Sequence, residues 1–83
     1  MSTKLFVGSL PWSINDQALG EAFEKHGAVV SAKVIMDRVT GRSRGFGFVE
    51  MENSDEAQKA MTALNNSELK GRTIVVNEAN ARS

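Results

Sequence analysis

Arg44-Gly45-Phe46-Gly47-Phe48-Val49-Glu50-Met51 reads as an extended segment whose side chains alternate between two faces. Arg44 and Glu50, with Glu52 just beyond, are charged and belong in water. Phe46 and Phe48 share their parity and go with them. Gly45, Gly47, Val49 and Met51 form the other face, where glycine lets a helix approach closely. The opposite register would bury Arg44 and Glu50, which is costly without partners. The strand therefore carries aromatic rings on its solvated side. Such breaks in ordinary patterning are expected at functional sites.

An earlier segment, Lys4 to Gly8, repeats the pattern. Leu5 and Val7 go inward, while Phe6 shares the parity of Lys4 and goes outward. Three of the four phenylalanines thus belong to the open face, and only Phe23 enters the core.

The remaining elements fall into place around these two strands. Asn15 caps a helix that opens with Asp16, an acid near the positive helix end. Ala18, Leu19, Ala22 and Phe23 recur at helical spacing, and Gly27 stops the helix. Val29 to Asp37 is rich in β-branched residues and reads as a strand, with Lys33, Ile35 and Asp37 outward and Ala32, Val34 and Met36 inward. Arg38 to Ser43, containing Thr40-Gly41, reads as a loop. Ser54 caps a second helix with Ala57, Ala60, Met61 and Leu64 along one stripe, closed by Asn65-Asn66. Leu69-Lys70-Gly71 turns into a last strand, Arg72 to Asn77, with Ile74 and Val76 inward and Thr73, Val75 and Asn77 outward. The order β-α-β-β-α-β predicts an α+β fold of the ferredoxin-like, split βαβ kind, a four-stranded antiparallel sheet with both helices on one face. One domain spans residues 1–83, with an ordered core over about residues 3–79 and a loose end from Asn80.

Composition limits what such a domain does. Eighty-three residues allow a single small core with little room for an enclosed active-site cavity. Hydrophobic residues make up 41%, a globular rather than a disordered balance. There is no cysteine and one histidine, His26, which rules out thiolate zinc sites, a cysteine nucleophile and a histidine metal cluster. No group of residues meets the requirements of a catalytic constellation, so neither an enzyme nor a cofactor or metal site is expected. No apolar run is long enough for a bilayer and no signal-peptide pattern opens the chain, so an intracellular, cytoplasmic setting without membrane contact is expected, or a nuclear one in a eukaryote. Net charge is zero, but it is unevenly spread: residues 38–44 carry +3, residues 50–58 carry −4 and residues 15–26 carry −2. A basic loop beside exposed flat rings suits nucleobases, since every base has a π-face and arginine reaches phosphate.

These residues resemble an RNA recognition motif. The octamer beginning at Arg44 matches seven of the eight positions of that family's longer signature. Leu5-Phe6-Val7-Gly8-Ser9-Leu10 resembles its shorter one. The similarity extends over roughly residues 3–80 and is of the kind seen in small single-motif bacterial and cyanobacterial proteins and in plant glycine-rich RNA-binding proteins. Met51 replaces the usual final aromatic and Ser9 a frequent asparagine, neither of which touches the three rings. The resemblance implies that Phe6 stacks on one base and Phe48 on its neighbour, that Phe46 packs against the sugars, and that Arg44 pairs with phosphate. Lys4, Lys33 and Ile35 then widen the platform, Arg38 and Arg42 contact the backbone, and the segment Asn77-Glu78-Ala79 reads base edges.

The expected partner is single-stranded RNA, with single-stranded DNA as the alternative polymer, and the expected state a monomer. The competing reading is a protein-interaction module that uses the same sheet or an acidic helix face. Trp12 is expected to pack on the sheet edge, since tryptophan is usually well buried.

Overall fold

Two asparagines set where the helices begin. The Asn15 side chain accepts the Ala18 N–H at 2.8 Å, and Asn53 accepts those of Asp55 and Glu56 at 2.9 and 3.4 Å. The second cap thus lies one residue earlier than the Ser54 expected from sequence. Asn53 is the residue in extended backbone, from which a side-chain oxygen can turn back to the free amides of the first turn.

The computed structural model describes residues 2–79. Its elements are β1 (Thr3–Gly8), α1 (Asp16–Glu24), β2 (Val29–Met36), β3 (Ser43–Met51), α2 (Ser54–Leu64), β4 (Glu68–Leu69), β5 (Arg72–Thr73) and β6 (Val75–Glu78). The expected loose end from Asn80 lies outside the described residues. The main sheet is antiparallel with strand order β2-β3-β1-β6. This is the expected ferredoxin-like α+β arrangement, and it puts the two strands of the aromatic pattern side by side at the centre.

Register follows the parity of the sequence. Leu5 faces Val49, Phe6 faces Phe48 and Gly8 faces Phe46 across β1–β3, while Val7 faces Val76 across β1–β6. Leu5, Val7, Val34, Val49, Met51, Ile74 and Val76 supply the sheet side of the core, against Leu19 and Phe23 of α1 and Ala57 and Ala60 of α2. At Gly47 a side chain is excluded by the neighbouring strand. An added Cβ would lie 2.4 Å from the Lys33 carbonyl oxygen, and 3.2 Å from a Leu19 methyl of α1.

Two expectations change. First, β3 is irregular near its start. Val34 pairs with Gly47 and Met36 with Ser43, so four steps along β3 are matched by two along β2. Gly45 takes φ +85°, a left-handed backbone that suits glycine, and absorbs the extra residues as a bulge. Alternation therefore breaks there, and Met36, assigned to the core by parity, is 46% exposed. Second, the expected last strand is divided. Lys70 and Gly71 both have positive φ, which folds Glu68–Leu69 back on Arg72–Thr73 as a separate hairpin. Buried Ile74 intervenes before β6, whose Val76 N–H bonds to the Asn65 side chain at 3.0 Å.

Candidate nucleic-acid interface

β1 and β3 bring Phe6, Phe46 and Phe48 together on the face away from the helices. All three are half-buried, and none belongs to the core. The ring centroids are 5.8 Å apart for Phe6–Phe46 and for Phe6–Phe48, and 6.3 Å for Phe46–Phe48. Their planes meet at 33°, 64° and 87° respectively. These are mutually supporting aromatic contacts that hold each ring in place while leaving ring surface open.

Neighbouring strands extend this face. Lys33 lies opposite Phe48 on β2 and is exposed, with Ile35 half-buried beyond it. On β6, Asn77 lies opposite Phe6 and Val75 opposite Gly8. Glu78 lies opposite buried Leu5, so its side chain falls on the parity away from the rings and only its backbone borders the platform. Lys4 reaches over the Phe48 ring at 5.9 Å from its centroid. Lys4 also lies opposite Glu50, whose carboxylate accepts a hydrogen bond from the Ser2 hydroxyl. The Ser2 hydrogen bond orients this carboxylate and leaves its negative charge at the edge of the platform.

The basic loop between β2 and β3 is closed around one residue that the sequence reading did not single out. Asp37 accepts the Val39 and Thr40 N–H groups on one carboxylate oxygen at 2.7 and 3.2 Å, and its own carbonyl accepts the Gly41 N–H at 2.8 Å. Its N–H donates to the Arg42 carbonyl at 2.7 Å. The Val39 amide first, then the Thr40 amide, hold the Asp37 carboxyl below its ordinary range, and the Arg44 charge acts in the same sense. The loop so formed presents Arg38 and Arg42 to solvent together with Val39, which is 93% exposed. Arg44, also exposed, precedes the Gly45 bulge, so its position depends on that bulge rather than on simple alternation with Phe46. An Asp-x-x-Thr-Gly segment carries the signal for such a side-chain-closed turn.

Trp12 departs from expectation. It is 75% exposed rather than packed on the sheet edge. The turn that carries it is anchored by buried Leu10, Pro11 and Ile14 on either side. On the helix side, a cleft of about 430 Å³ between α1 and β2 is lined by Asp16, Glu21 and Glu24, an acidic setting unsuited to phosphate. Among the described residues no cluster of three or more His, Cys, Asp or Glu side chains is arranged to hold a metal ion, and no helix is long and apolar enough to cross a membrane.

Taken together, fold and face define an α+β domain with an open aromatic sheet and a basic loop at one end. The pattern of the RNA recognition motif family matches residues 5–75, and the chain belongs to that family. It is 54% identical over 82 residues to "Glycine-rich RNA-binding protein 2, mitochondrial" of Arabidopsis thaliana, covering 99% of this chain and 52% of that protein. It is 50% identical over 82 residues to "Small RNA-binding protein 11, chloroplastic" of the same plant, covering 99% of this chain and 56% of the relative. The chain thus spans about half the length of these two curated relatives. Among solved structures, RNA Binding Protein PG1 superposes with a TM-score of 0.91 at 44% identity, covering 98% of both chains. The Sxl-lethal protein/RNA complex gives 0.87 at 39% identity, covering 93% of this chain and 47% of that one.

Proposed function

We propose that this domain binds single-stranded RNA without catalysis, by stacking bases on Phe6 and Phe48 and holding phosphates with arginine. The observation that carries the reading is the set of three mutually braced rings on the open sheet face, beside a loop of exposed arginines. Phe46 packs against sugars between the two stacked bases. Arg44, Arg38 and Arg42 neutralise phosphates, Lys4, Lys33 and Ile35 widen the platform, and Asn77 with the backbone of Glu78 meets base edges. Support comes from family membership, from relatives whose names describe RNA-binding proteins, and from a similar structure described as a protein/RNA complex.

Base–aromatic stacking is worth roughly 1–3 kcal/mol per base. Two or three bases offset the ordering of a flexible strand only modestly, so affinity falls in the micromolar range, about −8 kcal/mol. The domain acts as a monomer with no cofactor. Single-stranded DNA is a weaker second ligand to the extent that contacts reach the 2′-hydroxyl. An intracellular compartment holding RNA, cytoplasmic or organellar, fits this role; the two plant relatives are named as chloroplastic and mitochondrial.

Fluorescence anisotropy tests the reading, with short RNA homopolymers and a random RNA pool titrated against wild type and Phe48→Ala. Wild type binds at micromolar concentration and the variant is weakened several-fold or more. Equal affinity of the two proteins for the best RNA refutes the stacking mechanism.

A further inference from the structure

We propose that Glu50 is a base-selecting position: its carboxylate takes the Watson–Crick edge of a guanine that lies on the Phe48 ring. The proposal deepens the RNA-binding reading above and rests on it. Three observations carry it.

The first is placement. Glu50 lies two residues beyond Phe48 on β3 and pairs with Lys4, while Phe48 pairs with Phe6. Residues two apart along a strand share a face, so the carboxylate and the rings stand on the same side of the sheet. Glu50 is half-buried, and its partner on β2 is the small, exposed Ser31. The neighbouring strand therefore leaves the carboxylate uncovered on that side.

The second is the condition of the carboxylate. The Ser2 hydroxyl donates to one of its oxygens and orients it. Among the described residues Glu50 makes no ion pair. A carboxylate offers about four acceptor positions, so the second oxygen and part of the first remain open to a ligand. A negative charge on a face that meets RNA repels phosphate, which disfavours binding unless the carboxylate also meets donors.

The third is complementarity. The Lys4 ammonium lies 5.9 Å from the Phe48 centroid, on the residue directly opposite Glu50. A base that takes the Phe48 face displaces the ammonium from the ring and leaves it beside the base's edge. Cation and anion then stand side by side in front of one base. The Watson–Crick edge of guanine presents its O6 acceptor followed by the N1–H and N2–H donors, which a carboxylate accepts as a pair. Uracil has a single N–H between two carbonyls. Cytosine and adenine set an amino donor beside a ring-nitrogen acceptor that a carboxylate repels. Unstacked bases are read on this edge, and hydrogen bonds to an ionised acceptor are stronger than neutral ones.

Fluorescence anisotropy is measured on uridine octanucleotides whose central residue is uridine, guanosine or inosine. Inosine keeps O6 and N1–H and lacks the 2-amino group, so it separates edge recognition from the better stacking of a purine. Wild type binds the guanosine RNA about 5- to 10-fold more tightly than the all-uridine RNA, with inosine between the two; this is the low end of bidentate discrimination because the sheet is open to solvent. Glu50→Gln brings the guanosine and inosine RNAs to within about twofold of each other, and it tightens the all-uridine RNA because a phosphate-repelling charge is gone. Equal affinity of wild type for the guanosine and inosine RNAs overturns the proposal, and that comparison needs no variant to fold. A guanosine preference that survives in Glu50→Gln also overturns it, as does a uniform gain for every RNA, which would make Glu50 a phosphate-repelling group alone. If Phe48→Ala is weakened on all three RNAs while wild type does not rank guanosine above inosine, only the Glu50 assignment fails. If Phe48→Ala binds every RNA as wild type does, the stacking reading itself fails.

Discussion

Phe6 and Phe48 face each other directly across the β1–β3 pairing, with centroids 5.8 Å apart and planes at 64°. Each ring limits the motion of the other, and Phe46 contacts both. The platform is therefore preorganised by the sheet, and a bound strand need order only itself. This coupling predicts that Phe6→Ala and Phe48→Ala are not additive. Each costs about 1–3 kcal/mol of RNA affinity. The double variant departs from the sum by about 0.5 kcal/mol or more, because removing one ring loosens the other. A double-mutant cycle by anisotropy measures it.

Folding stability separates the open face from the core. Phe23 is fully buried, and Phe23→Ala costs about 3–5 kcal/mol. Phe48→Ala loses mainly the ring contacts, about 0.5–1.5 kcal/mol each beyond the area term. Urea unfolding of the two variants should show midpoints far apart, with Phe48→Ala closer to wild type. Near-equal losses would mean that Phe48 serves the fold as much as Phe23 does.

Salt dependence counts the phosphates. Neutralisation of about three phosphates by Arg38, Arg42 and Arg44 predicts a log–log slope near −2 for a single strand. Arg42→Gln lowers its magnitude by about 0.7. Titrations across a range of potassium chloride concentrations give the slope directly. An unchanged slope in Arg42→Gln would remove this residue from the backbone contacts.

The basic loop carries a pH signature of known sign. Asp37 is held below its ordinary carboxyl value of 3.8, so its charged form is favoured by the folded loop. The loop order it supplies is fully present above that value and is lost as pH falls through the lowered one. Between about pH 5 and 8 this group leaves RNA affinity unchanged. An NMR acid titration should show the Val39 and Thr40 amide resonances moving together below the ordinary value. Movement at higher pH would contradict the closure of the loop on Asp37.

Gly45 and Gly47 are glycines for different reasons, and alanine distinguishes them. At Gly45 the left-handed backbone costs a side chain about 1–2 kcal/mol with no contact problem, the nearest atom being the Leu10 carbonyl oxygen at 3.8 Å. At Gly47 the Cβ would meet the Lys33 carbonyl oxygen at 2.4 Å, so β2 and β3 must part, at about 1–3 kcal/mol or more. Gly47→Ala should therefore disturb amide exchange along β2, whereas Gly45→Ala confines its effect to the bulge and the Leu10 bond.

Much of the fold and the aromatic face was legible in the linear chain. Leu5 and Val7 against Phe6, and Val49 and Met51 against Phe48, follow from an alternation that is local to each strand and from the high cost of burying Glu50. Charge and hydrophobicity alone carry that information, and Asn15, Gly27 and the apolar stripes bounded the helices in the same local way. Other features arise between segments far apart in sequence. The Gly45 bulge exposes Met36, because the register between β2 and β3 is a property of the pair. Trp12 stands in solvent while its neighbours Leu10, Pro11 and Ile14 are buried and the Leu10 N–H donates to the Gly45 carbonyl. Alternation specifies which face of a strand is wet; where a loop rests, and which of its side chains remain uncovered, depends on backbone partners that are set when the strands meet.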